Sequence, residues 1–212
     1  MATQNREEAL KCSTSTLMMI YYVIIGLAIT EALQNAFIMD GSFIGERAIS
    51  TANLPRTLLL FALLPTICRF VHGASMHLGL LGEKRFKPLL DFVWFFLQAS
   101  IFYLMSFSLE SPVPFSIFFG VLLLLDVAWL LLLGSIQYVK VGFTEIQWLV
   151  SDAAIIVGLS GICLVREHIG NTAAASLIFS VAFLAAVLDY AMNREFYFPS
   201  RDPSATEALR EG

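Results

Sequence analysis

Charge is what this sequence has least of. Asp, Glu, Lys and Arg make up 14% of the 212 residues, apolar side chains make up 58%, and mean hydropathy is +0.75. Those values lie outside the range of soluble globular domains, so lipid is the solvent for most of the chain. The few basic residues are dispersed through short polar segments and the net charge is −4. Nucleic acid, which needs Lys and Arg concentrated on one surface, is excluded as an expected partner.

Cysteine is almost as scarce. Cys12, Cys68 and Cys163 are odd in number, far apart, and in no CxxC or Cys/His pattern, which excludes a disulfide framework and offers no metal-site spacing. Cys12 directly precedes the first apolar run, where a reversible acyl group could attach; a plain buried thiol is the simpler expectation. Catalytic motifs are missing as well. There is no GxSxG, no HExxH, no Gly-rich phosphate loop and no GxGD pattern of intramembrane proteases. Ser75, between His72 and His77, is expected to bond its own helix backbone rather than act as a nucleophile. An enzyme is therefore not expected, and neither is a bound cofactor.

What the chain does have is long apolar runs. Six of them, at about 17–38, 57–81, 89–109, 115–136, 148–165 and 172–192, are separated by short polar segments, and a helix needs about 20 residues to cross a hydrocarbon core of about 30 Å. The first run is longer than a signal-peptide core and no convincing cleavage site follows it, so it reads as a retained span. The expected fold class is all-α, a polytopic membrane bundle over 17–192. A polar N-terminal segment (1–16) precedes the bundle and a mobile tail (193–212) follows it. Residues 46–53 allow a short interfacial helix, and 137–147 read as a polar link. Pro55 suits the first turn of the second span, while Pro65, inside it, predicts a kink. Gly73 and Gly79 permit close approach of a neighbour, and Ala154 with Gly158 and Ala182 with Ala186 predict a tightly packed final hairpin.

Placing the N-terminus inside leaves nine Lys and Arg on inner segments (Arg6, Lys11, Lys84, Arg85, Lys87, Lys140, Arg194, Arg201, Arg210) and three on outer ones (Arg47, Arg56, Arg166). The bias puts both termini in the cytoplasm, in an inner or plasma membrane. Asp91-Phe-Val-Trp94 echoes Asp126-Val-Ala-Trp129, but these helices do not correspond in an inverted repeat, so the echo reads as coincidence.

Ionisable residues inside spans are costly and face protein or water. Arg69 and Asp126 each fall about 16 to 18 Å below the outer ends of their spans at 1.5 Å per residue. Matching depth makes Asp126 the leading partner for Arg69, because a buried guanidinium seeks a carboxylate. Glu31, about 21 Å above the inner end of the first span, is the competing partner. His72 and His77 lie about 140° apart around their helix, which disfavours a shared metal, and no second histidine sits at matched depth for a haem. Near the inner face Asp91, Asp152 and Asp189 gather with His77 as a possible cation site or proton relay. Asp91 is read as an interfacial acid paired with a nearby Lys or Arg.

The functional expectation is conduction or transport of protons or small ions through Arg69, Asp126, Glu31, His72, His77, Asp152 and Asp189, by a channel or transporter assembled as a homo-oligomer. The rival is a non-transporting sensor or anchor subunit that holds a cytoplasmic protein partner.

Overall fold

The computed structural model describes residues 2–39, 42–43, 53–81, 88–135 and 143–198. It is helical throughout apart from a two-residue antiparallel pair, β1 (Ile38–Met39) against β2 (Ser42–Phe43). The helices are α1 (Ala2–Phe37), α2 (Leu54–Leu81), α3 (Pro88–Phe107), α4 (Pro112–Ser135), α5 (Phe143–Met192) and the one-turn α6 (Arg194–Tyr197). Four stretches are long and apolar enough to cross a membrane: Ser15–Phe37, Leu54–Met76, Pro112–Leu132 and Glu145–Met192. The apolar part of α3, Phe92–Phe107, is shorter.

Local chemistry explains where these helices begin. Pro55, Pro88 and Pro112 each fall in a first turn, where the missing N–H would have had no partner anyway. α2 continues through Pro65. Hydroxyls along the spans are hidden within their own helices: Thr30, Thr66, Ser75, Ser100, Ser160 and Ser180 each donate to the carbonyl four residues back. Ser75 also meets the Tyr22 hydroxyl of α1 at 2.7 Å; an apolar environment would offer the others no partner outside the helix.

Several bounds differ from the sequence reading. Helix α1 starts at Ala2 and α5 at Phe143, so 2–16 and 143–147 are helical rather than segment and link. Cys12 is exposed, against the expected buried thiol. The possible interfacial helix at 46–53, the basic turn around Lys84, Arg85 and Lys87, and the tail beyond Phe198 lie outside the described residues.

Helix α5 is two helices. Gly170 has φ 78° and ψ 168°, a conformation open to glycine and strained for other residues. Trp148 and Asp189 are hydrogen-bonded at 2.7 Å, whereas a continuous helix would hold them about 60 Å apart at 1.5 Å per residue. The chain therefore folds back at Gly170 into two antiparallel arms. The expected small-residue packing holds for one arm: Ala182 and Ala186 are buried, but Ala154 is exposed and a Cβ built on Gly158 meets nothing within 4 Å.

Helix α2 is central, in contact with α1, α3, α4, α5 and α6. Its first half packs Leu59, Leu60 and Leu63 into a fully buried layer with Phe102 and Met105 of α3 and Phe115 and Leu122 of α4. The outside is apolar as well: Met19, Leu131, Val157, Leu164 and Leu184 are all more than half exposed. A bundle apolar inside and out is compatible with a lipid perimeter.

Candidate functional site, a buried arginine among three aspartates

The second half of α2 is where the polar residues converge. Arg69, buried, donates from Nη2 to Asp152 Oδ1 at 2.8 Å and from Nε to Asp189 Oδ2 at 3.0 Å. One guanidinium thus ties α2 to both arms of α5, and its charged plane also lies 5.6 Å from the Phe70 ring centre. A planar fork suits this job, since its donors point in fixed, separate directions.

Asp189 is saturated. Oδ1 accepts from Trp148 Nε1 (2.7 Å) and Asn193 Nδ2 (2.7 Å), while Oδ2 accepts from Arg69 Nε (3.0 Å) and Tyr197 Oη (2.6 Å). A carboxylate has about four acceptor sites, and all are used. This aspartate is a structural knot that joins α2, both arms of α5 and α6. Burial and the Asp189 carboxylate push the Tyr197 phenol above its ordinary value.

Asp152 is different. Its side chain is fully buried, Oδ1 holds Arg69, and Oδ2 has no hydrogen-bond partner among the described residues. The neighbour of Asp152 across α4 and α5 is Asp126, close enough to interact directly. Two carboxyl groups side by side can hydrogen-bond only if a proton lies between them. Asp126 accepts from Gln98 Nε2 of α3 at 3.3 Å and is in no ion pair among the described residues.

Beside Asp126 is a cavity of about 70 Å³, lined among others by Arg69, Phe95, Gln98, Trp129, Trp148 and Tyr197. A water needs roughly 10–15 Å³ on this measure, so about five waters fit there. Its lining mixes the polar side chains of Arg69, Gln98 and Asp126 with aromatic rings and a few small or aliphatic residues.

His72 lies among aromatic rings: Tyr197 at 4.8 Å, Tyr190 at 5.6 Å and Phe198 at 5.6 Å between centroids. Tyr190 Oη donates its one proton to the Cys68 carbonyl at 3.3 Å, so in the 3.3 Å contact between Tyr190 and His72 it is Nδ1–H that donates. Gly73, one residue on, lies beside the same ring: a Cβ there would stand 3.7 Å from Tyr197 Oη, an ordinary contact.

The expected pairing of Arg69 with Asp126 is corrected. Both line one cavity, but the ion pairs go to Asp152 and Asp189, because the α5 hairpin supplies two carboxylates at the depth of Arg69 and packs on α2 along its length. Glu31 is not a partner either. It accepts from Asn35 Nδ2 at 3.1 Å, and the same nitrogen reaches the Ser106 carbonyl, toward the end of the bundle away from the cluster. The side chains of His77 and Asp91 lie outside the described ones. Trp94 and Trp129, from the echoing tetrads read as coincidence, stack at 5.1 Å, and Trp129 lines the cavity. The residues missed from the sequence, Trp148, Asn193 and Tyr197, were legible only as helix-end polar and aromatic groups near Asp152 and Asp189.

Among the described residues no group of three His, Cys, Asp or Glu could hold a metal ion. Comparison with known proteins leaves the site to be read from its own chemistry, because no protein-family model, curated protein or solved structure matches the chain.

Proposed function

We propose that this is a six-span membrane protein, both termini on the cytoplasmic face of an inner or plasma membrane, that transports protons or small ions through the site at Arg69, Asp126 and Asp152. The six-span count adds α3 to the helices of spanning length. It also divides Glu145–Met192 in two, because its 48 residues would extend about 72 Å as one helix, more than twice the hydrocarbon thickness. Orientation follows from the nine-to-three distribution of Lys and Arg. Assembly as a homo-oligomer belongs to the same reading, since one small bundle has little interior to rearrange.

The observation that carries the reading is the unequal satisfaction of three buried carboxyls around one guanidinium. Groups that serve only to hold helices together are saturated, as Asp189 is. Asp152 keeps an unpartnered oxygen beside Asp126, and Asp126 opens on a water-sized cavity. Such a pair takes up and releases a proton without disturbing the knot that holds the bundle. The fully buried layer of Leu59, Leu63, Phe102, Phe115 and Leu122 separates the cluster from the other end. In this reading passage requires that layer to part.

The test is flux. Purified protein in liposomes should move protons or small cations under an imposed gradient, and Asp126→Asn should cut that movement roughly tenfold or more, the scale of removing one essential proton-transfer group. No movement under any gradient or voltage, with the protein folded and inserted, sinks the reading and leaves a non-transporting subunit.

A further inference from the structure

The cavity beside Asp126 has the chemistry of a site for an organic cation. Its walls combine one carboxylate outside any ion pair among the described residues with Phe95, Trp129, Trp148 and Tyr197, and with the amide of Gln98. Aromatic rings attract cations through their negative faces, and desolvation strengthens the effect. An inorganic cation asks for a cage of several oxygens at once, and no such cluster forms among the described residues. A volume of about 70 Å³ suits a compact, quaternary or guanidinium-type cation.

The second observation is the unpartnered Asp152 Oδ2, buried against Asp126. The groups facing Asp126 are Tyr21 from α1, Arg69 from α2, Gln98 from α3 and the two α5 carboxyls of Asp152 and Asp189. Arg69 is the one cation among them, and it is already shared between Asp152 and Asp189. With the cavity empty, a proton between Asp126 and Asp152 gives Oδ2 its missing partner and lowers the local negative charge. A cation in the cavity supplies that charge instead.

From these positions we infer that the Asp126 cavity binds a small organic ammonium or guanidinium cation in exchange for the proton shared by Asp126 and Asp152. This rests on the transport reading above and gives it a substrate class. The exchange balances: one cation enters, one proton leaves to water, and the site charge is unchanged.

The experiment uses the full chain in detergent and in liposomes, with tetramethylammonium and guanidinium as probes because neither crosses a bilayer as a neutral base. In weakly buffered solution near neutral pH, each cation bound should release about one proton, and potassium at the same concentration should not compete. Asp126→Asn should weaken binding by roughly tenfold or more and abolish the proton release, while Trp129→Ala should weaken binding about tenfold with release per bound cation retained, the span expected of a desolvated cation–π contact. Asp126→Glu, which keeps the carboxyl, should still release a proton on binding, and this guards against a folding defect in the Asn variant. Binding without proton release, or equal competition by potassium, overturns the inference. Proton flux in liposomes with no binding of either probe also overturns it and leaves the broader transport reading standing. Binding with proton release but no flux of any kind overturns transport and leaves the site.

Discussion

Two arginines thirteen residues apart on α2 meet carboxylates at nearly the same distance, and they have little else in common. Arg56 reaches Glu110 at 2.7 Å, with the Glu110 side chain 70% exposed, whereas Arg69 reaches Asp152 at 2.8 Å with that side chain at 0%. An exposed pair gains little over its hydration. A buried one has already lost its hydration, so removing one partner strands the other. The distance is the same in both, but the energetic stakes are set by the surroundings. The Arg56 end of α2 is therefore adjustable, and the Arg69 end is not.

The sharpest way to break this contrast is Arg69→Ala. It leaves Asp152 and Asp189 buried without their cation and should cost about 3–5 kcal/mol of stability, read as a large fall in detergent unfolding temperature or loss of folded protein. Arg69→Met combined with Asp152→Asn and Asp189→Asn should recover most of that loss, since a neutral cluster strands no charge. Failure of the triple variant to recover would mean that the guanidinium matters for its shape and not for its charge.

A smaller effect is expected in the apolar layer between the two arginines. Leu63→Ala should cost about 2–3 kcal/mol, the lower part of the range for buried leucines, because only packing is lost when the alternative solvent is lipid. Thermal unfolding measures it, and the flux assay should show more leak if that layer is the barrier. Arg56→Ala should change stability by less than about 1 kcal/mol, and high salt should erase even that difference. A cost comparable with that of Arg69→Ala would abolish the contrast.

The smallest effect concerns pH. Tyr197 lies beyond the last span, and its phenol is held above its ordinary value of 10.0 by burial and by Asp189. Below pH 10 it is protonated folded or unfolded, and its contribution is fully present. As pH rises past that point the unfolded phenol ionises first, the folded state holds the extra proton, and stability falls. Tyr197→Phe should therefore show a flatter stability profile above about pH 10, with little change at neutral pH beyond the lost hydrogen bond.

The helices were legible because lipid imposes a crude rule: apolar stretches of sufficient length recur and polar punctuation separates them. Arg69, Asp126, Asp152 and Asp189 stood out for the same reason. Their pairing did not, because depth along a helix follows from counting residues, while azimuth and neighbour order depend on how the other helices are arranged around α2. Counting put Asp126 at the depth of Arg69 and Asp152 nearer the inner face, yet the packing of α5 on α2 brings Asp152 and Asp189 to the guanidinium. Tyr197 was harder still, since it comes after the last apolar run and reaches Asp189 from the short helix α6.

Gly170 has a consequence for how this chain can change length. Asp152 lies eighteen residues before it and Asp189 nineteen after it, so the turn acts as the zero mark of a ruler with two nearly equal scales. Inserting a single residue in either arm shifts one aspartate by about 1.5 Å and rotates it by about 100°, out of reach of a guanidinium that is fixed on another helix. Additions on the far side of Trp148 or beyond Tyr197 leave both scales untouched. Variation in length should therefore be tolerated outside the interval from Trp148 to Tyr197, while inside it only changes that match in both arms keep the two readings aligned.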